Sequence, residues 1–186
     1  MFFFSENTDI TFAPSSVEHG YFAILNDDLE SAKIVFEHVD SPRGRWGKAL
    51  TDIISGYIEK YPTYFEIRNF LEIDLDFLLK NNKIDYVEML LGSVDLLADI
   101  NEETYKYVAR VMFENKLYKA AKEYMEKSKE VFYNDPELHF MLSKYYIHER
   151  IYIKAAFHID ECLRILPAYY PAKLLKSKIN RYIASN

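Results

Sequence analysis

Large and small apolar positions recur through the second half of this chain at a fixed offset. Shifted by 34 residues, Tyr118 falls on Tyr152, Ala121 on Ala155, Met125 on Ile159 and Ser128 on Cys162. The same shift lays Val108 on Leu142, Ala109 on Ser143 and Met112 on Tyr146. Small lies on small and bulky apolar on bulky apolar. A second shift brings Ile84, Val87, Leu91 and Val94 under Tyr118, Ala121, Met125 and Ser128. The steps of three, four and three from Tyr118 to Ser128 and from Ile84 to Val94 are those of a helix face. Punctuation agrees. Asp135-Pro136-Glu137 offers an N-cap, a proline at the first helical position and an acid in the first turn. Thr63 with Glu66 has capping-box spacing, and Ser41-Pro42 repeats the cap-then-proline signal. Turns are expected at Asn26-Asp27-Asp28, Asn81-Asn82 and Glu149-Arg150. Ten helices follow, near 16–25, 28–39, 42–60, 64–80, 83–98, 102–115, 117–132, 136–149, 152–165 and 170–183.

Small residues at Ala109, Ser143, Ala121 and Ala155 let the two helices of a hairpin approach closely, and large residues one turn away fill the gaps. A period in this range belongs to stacked repeats, because one hairpin cannot bury its apolar face alone. The last unit reads His139, Leu142-Ser143, Tyr146, then Ala155, Ile159 and Cys162, closing on Pro167. The unit before it reads Tyr105, Val108-Ala109, Met112, then Ala121, Met125 and Ser128. On these residues the chain resembles the tetratricopeptide repeat (TPR) family. The resemblance implies an all-α, right-handed solenoid of antiparallel helix hairpins over 1–186, read as a single domain. Repeat hairpins are expected at 64–98, 102–132 and 136–167, with a capping helix at 170–183. A degenerate first hairpin is expected at 13–40, from Gly20, Ala23, Leu29, Ala32, Phe36 and Val39. Ala32 and Val87 hold like positions but lie 55 apart, so the helix at 42–60 reads as an insertion. Asp74 and Leu75 depart from the family pattern, which places a Leu and then a small residue there. Packing in the 64–98 hairpin is expected to differ.

Composition narrows the function classes. Of 186 residues, 49% are hydrophobic and 28% charged, with only 5 Gly and 6 Pro, which favours helices and excludes wholesale disorder. The one cysteine, Cys162, excludes an intramolecular disulfide framework and a Cys-rich zinc site. The run Met1-Phe2-Phe3-Phe4-Ser5-Glu6 has no basic flank, and no apolar run is long enough to span a bilayer, so a cytoplasmic protein with no membrane contact is expected. Net charge is −6 but uneven, because residues 1–100 hold 8 Lys/Arg against 18 Asp/Glu. That asymmetry allows head-to-tail self-association.

Candidate chemistry is sparse. No nucleophile elbow, Walker loop, dinucleotide fingerprint or zincin motif occurs, so no catalysis, cofactor or metal is expected. Glu72 and Asp76 share a helix face, but read as a solvated acidic face rather than an acid/base pair. His158 and Cys162 have ligand spacing, yet Cys162 sits at a core position and His158 is expected to point outward. The segment Arg43-Gly44-Arg45-Trp46 could hold an anion at a helix start, against a simpler role as a hinge with Trp46 as packing anchor. Eleven of 16 Tyr lie beyond residue 100; interhelix packing explains them better than stacking on nucleic acid, which is not expected as a partner.

By resemblance, the first helix of each hairpin lines a concave, peptide-binding surface. The groove residues would be Lys106, Tyr107, Arg110, Phe113, Phe140, Met141, Lys144 and Ile147, flanked by Asn69, Glu72, Ile73, Asp76, Leu79, Glu103 and His148. Their basic and aromatic character suits a protein or peptide with acidic character. Lys106 matches a lysine with which some members clamp a terminal carboxylate, but Arg110 stands where their asparagine does. The function so implied is a scaffold or adaptor. A small client-specific chaperone is the alternative, and an enzyme accessory subunit a third.

Overall fold

A computed structural model describes residues 16–185; the start of the expected 13–40 hairpin and the Met1–Glu6 run lie outside them. The described residues are all-helical, without strands. The chain divides into two compact units between Pro62 and Thr63, where the sequence reads as one array.

The first unit contains α1 (Val17–Leu25), α2 (Leu29–Glu37) and α3 (Pro42–Ser55). The helix expected as an insertion at 42–60 is the centre of this unit: α3 packs on both α1 and α2. Its face carries Trp46, Leu50 and Ile53, all fully or almost fully buried. Trp46 is thus a core anchor. Ser41 caps α3, accepting from the Gly44 N–H at 3.0 Å. The helix stops at Ser55 rather than 60 because Gly56 adopts φ 82°, a left-handed backbone that glycine takes without steric cost. Phe36 of α2 is gripped by two glycines. A Cβ at Gly20 of α1 would fall 2.4 Å from its ring, and one at Gly47 of α3 would fall 2.5 Å from it.

The second unit contains α4 (Tyr64–Lys80), α5 (Ile84–Gly92), α6 (Val94–Ile100), α7 (Thr104–Glu114), α8 (Tyr118–Val131), α9 (Pro136–His148), α10 (Tyr152–Ile165) and α11 (Tyr170–Ala184). Helices α7 with α8 and α9 with α10 form close hairpins, α4 and α9 flank α7, and α11 covers α10. The small positions do what their size allows. Ala109, Ala121, Ser143 and Ala155 are fully buried, and Ser143 Oγ donates to the Ala155 carbonyl at 2.9 Å across the last hairpin. Thr63 and Glu66 form the expected capping box, and Asp135 caps α9.

The expected helix at 83–98 is broken at Ser93 into α5 and α6. Leu75 explains the loosened hairpin. It is fully buried on α4 where Ala109 and Ser143 stand on α7 and α9, and its bulk keeps α5 from the close approach seen in the later hairpins. Gly92-Ser93 then supplies the weak point, with Ser93 Oγ turned onto the Met89 carbonyl.

Each hairpin turns in the same way. The first helix ends at a residue of positive φ: Asp27 (62°), Asn82 (56°), Lys116 (63°) and Arg150 (59°). The last three are spaced by 34, which places the 64–98 hairpin in register with the others. In every case the next N–H reaches back five residues: Asp28 to Ala23, Lys83 to Leu78, Leu117 to Met112 and Ile151 to Tyr146, at 2.8–3.0 Å. This is the Schellman pattern, which satisfies the helix's last carbonyls. Left-handed backbone costs a non-glycine residue about 1–2 kcal/mol, most where the side chain is β-branched. Substitutions at Lys116 should therefore rank Gly above Lys above Val in thermal unfolding, with Lys116→Val about 1–2 kcal/mol below wild type. A Val variant as stable as the parent would contradict the strain.

Candidate functional site

In the second unit α7 packs against both α4 and α9. Helix α7 brings Lys106, Tyr107, Arg110 and Phe113 to one side at steps of one, three and three residues. Helix α9 contributes Phe140, Met141, Lys144 and Ile147 at like spacing, and α4 contributes Glu72, Ile73 and Asp76.

These residues are not uniformly available. Lys106 is 4% exposed and Tyr107 6%. The Lys106 ammonium donates to Asp135 at 2.6 Å and to Glu103 at 2.7 Å, with Glu137 at 3.4 Å. Burial pulls its pKa down, but the hydrogen bonds to Asp135 and Glu103 outweigh burial and hold it above the usual lysine value. Tyr107 Oη donates to Glu103 at 2.7 Å, and burial together with that carboxylate raises its pKa well above the ordinary one. Burial also raises Glu103, yet its hydrogen bonds from Lys106 and Tyr107 leave it below the ordinary carboxylate value. Arg110 is half-buried and bridges helices, donating to Glu72 at 2.8 Å and Glu137 at 3.1 Å. Glu72 is held above its usual pKa, chiefly by burial and also by the like charges of Glu114 and Glu137; Arg110 offsets only part of this.

Two cations thus sit among four carboxylates, Glu72, Glu103, Asp135 and Glu137, in one interhelix network. Of the expected groove residues, Lys106 and Arg110 are thus engaged by the chain's own acids. Glu72 and Asp76 are likewise engaged: Glu72 ties α4 to α7 through Arg110, and Asp76 accepts from Asn115 at 2.9 Å. Met141 is also buried, and Asn69 and Ile73 stand exposed on α4. His148 is exposed and lies against Tyr118, ring centroids 3.8 Å apart.

Lys144 differs. It is exposed, and among the described residues no carboxylate pairs with it. Its ammonium stands over the rings of Phe113, at 5.2 Å, and Phe140, at 5.9 Å. Tyr169 meets Phe140 edge-on at 5.3 Å, and half-buried Ile147 lies one turn beyond Lys144. A cation on an aromatic and aliphatic floor can receive a carboxylate flanked by apolar groups.

The likeness to known proteins now has a place. A solved structure, that of the C-terminal part of a TPR repeat-containing protein from Cytophaga hutchinsonii, matches with a TM-score of 0.51 and 16% identity. The match covers 91% of this chain and 72% of that one. The fold is a TPR-like helical repeat. No protein-family model and no curated protein sequence matches this chain.

Elsewhere in the TPR-like fold, two sequence expectations about side-chain placement are resolved. His158 does not point outward: it is 6% exposed and faces the fully buried His139 of α9. Its partner lies 19 residues away on another helix, so spacing along α10 carried no sign of it. Cys162 is fully buried, and burial pushes its thiol up to about 11. Among the described residues no group of three or more His, Cys, Asp or Glu is placed to hold a metal ion, and no helix is long and apolar enough to cross a membrane. Near Ser41, the Arg43 guanidinium lies 4.6 Å from the centre of the Tyr21 ring, and Arg45 stands 3.8 Å from Asp40.

The network predicts a stability effect. Lys106→Met leaves the buried Asp135 and the half-buried Glu103 without their cation, and removing one member of a buried pair costs about 3 kcal/mol. Denaturant unfolding should show that loss with an unchanged m-value; a change under 1 kcal/mol would mean that the carboxylates find other partners.

Proposed function

We propose that this chain is a protein-interaction module, a scaffold or adaptor without chemistry of its own, and that the α7–α9 inner surface is its docking site. The observation that carries this is Lys144. It is the cation of that surface left without a carboxylate, and it stands over Phe113 and Phe140 beside Tyr169 and Ile147. The partner that fits is a peptide segment with an acidic residue between apolar ones. Such a segment lies along a row of first helices as other peptides lie in helical grooves. A TPR-like fold supports the reading, because stacked hairpins offer a long shared surface.

The test pairs two charge reversals. Lys144→Glu should lower capture of partner proteins at least tenfold in a pull-down and leave thermal unfolding unchanged, because nothing in the network loses a contact. Arg110→Glu should chiefly lower the melting temperature, since it sets a third carboxylate between Glu72 and Glu137. If the Lys144 variant retains every partner that the wild type binds, this surface is not the docking site.

A further inference from the structure

One cluster has no part in that surface. His139 on α9 and His158 on α10 face each other inside the last hairpin, Nδ1 to Nδ1 at 3.0 Å. Neither ring reaches solvent freely; their exposures are 0% and 6%. The geometry assigns the protons. His139 Nε2 lies 2.9 Å from the Tyr133 carbonyl, which can only accept, so Nε2 carries a proton. In the neutral ring His139 Nδ1 is then the acceptor, and His158 Nδ1 donates to it. Aromatic rings complete the enclosure. Tyr146 stacks on His158 at 5.4 Å with planes 4° apart, Phe157 meets His158 edge-on at 5.1 Å, and Tyr133 meets His139 edge-on at 4.8 Å.

This arrangement is satisfied only while the pair is short of protons. A first added proton places a charge in an apolar enclosure. A second puts N–H against N–H at 3.0 Å, and the bond between the helices is lost. The surrounding charges do not rescue it. From α8, Lys122 and Lys129 oppose protonation of His158, and each also pairs with Glu126. From α10, Glu161 favours protonation of both rings but is tied to Arg164, which opposes it at His139. Asp135, ahead of α9, favours it at His139 but is held by Lys106. The Cys162 thiol, pushed up to about 11 by burial, carries no charge at these pH values. Burial dominates, lowering His139 below its usual pKa and His158 to about 4.

We propose that the His139–His158 pair is an acid-sensitive latch: as it takes up protons, α9 separates from α10 and the inner surface that α9 lines loses its shape. The opening needs nothing beyond the pair; its effect on docking rests on the reading of that surface given above. Because the closed state holds these rings below the value of about 6.5 that an exposed histidine shows, the latch is fully closed above about pH 6.5. It weakens as pH falls from there towards 4.

Hydrogen exchange tests this without any partner. Corrected for intrinsic rates, protection over residues 136–165 should fall on the order of a hundredfold between pH 7 and 4.5. Protection in α4 should fall much less. His158→Asn keeps a donor at the Nδ1 place and cannot titrate, so its protection should stay nearly level. An equal fall in this variant overturns the latch. Should the variant not fold, the wild-type ring resonances decide: both histidines titrating near 6.5 would overturn it equally. A latch that opens as described while Lys144→Glu leaves binding intact would remove the docking surface and keep the latch.

Discussion

The turn between the two helices of a hairpin is the constraint on which the rest depends. Each of four hairpins reverses through one residue of left-handed backbone followed by an N–H that reaches back five positions. That turn fixes where the second helix begins, and so which of its residues face the first. With the turn fixed, Ala121 comes to lie against α7 and Ala155 against α9, and the side chains one turn along meet bulky neighbours. No glycine occupies any of the four left-handed positions; Asp27, Asn82, Lys116 and Arg150 hold a conformation that only Asn and Asp enter with some ease. The packing on either side must therefore outweigh the local strain, which makes turn and core mutually dependent.

Much of this was legible in the residues. The offset between Tyr118 and Tyr152 and the caps at Thr63 and Asp135 are local or periodic signals, and local signals survive folding. Leu75 announced an irregular hairpin because its volume conflicts with the pattern around it. What stayed hidden depends on partners far along the chain. Helical spacing places Lys106 and Tyr107 on a face but does not say that Asp135, 29 residues on, closes over it. The pairing of Arg110 was hidden for the same reason, since Glu72 lies 38 residues before it. His158 was misplaced because its companion sits on the neighbouring helix. The helix expected at 42–60 shows another limit. A period describes what repeats, and says nothing of how a helix that does not repeat packs; α3 lies on both α1 and α2 at the centre of its unit.

The inner surface that emerges is not a basic trough but a self-neutralised network with one open cation beside it. Charges engaged within the protein hold α4, α7 and α9 at a fixed separation. They leave Lys144 and its aromatic floor as the chemically unsatisfied part. One ring of the buried histidine pair, His139, belongs to the same helix, so the proposed docking surface and the proposed latch share α9.

Phe36 has a consequence of another kind. Its ring fills the space that side chains at both Gly20 and Gly47 would need: a Cβ at either would fall within 3 Å of ring atoms. Neither glycine can acquire even a methyl group while the ring remains, and the ring cannot shrink without opening a void in a unit of three short helices. The three positions are therefore tied in their descent. Relatives of this chain should change them together, trading the aromatic ring for a smaller residue in the same lineages that gain a side chain at either glycine.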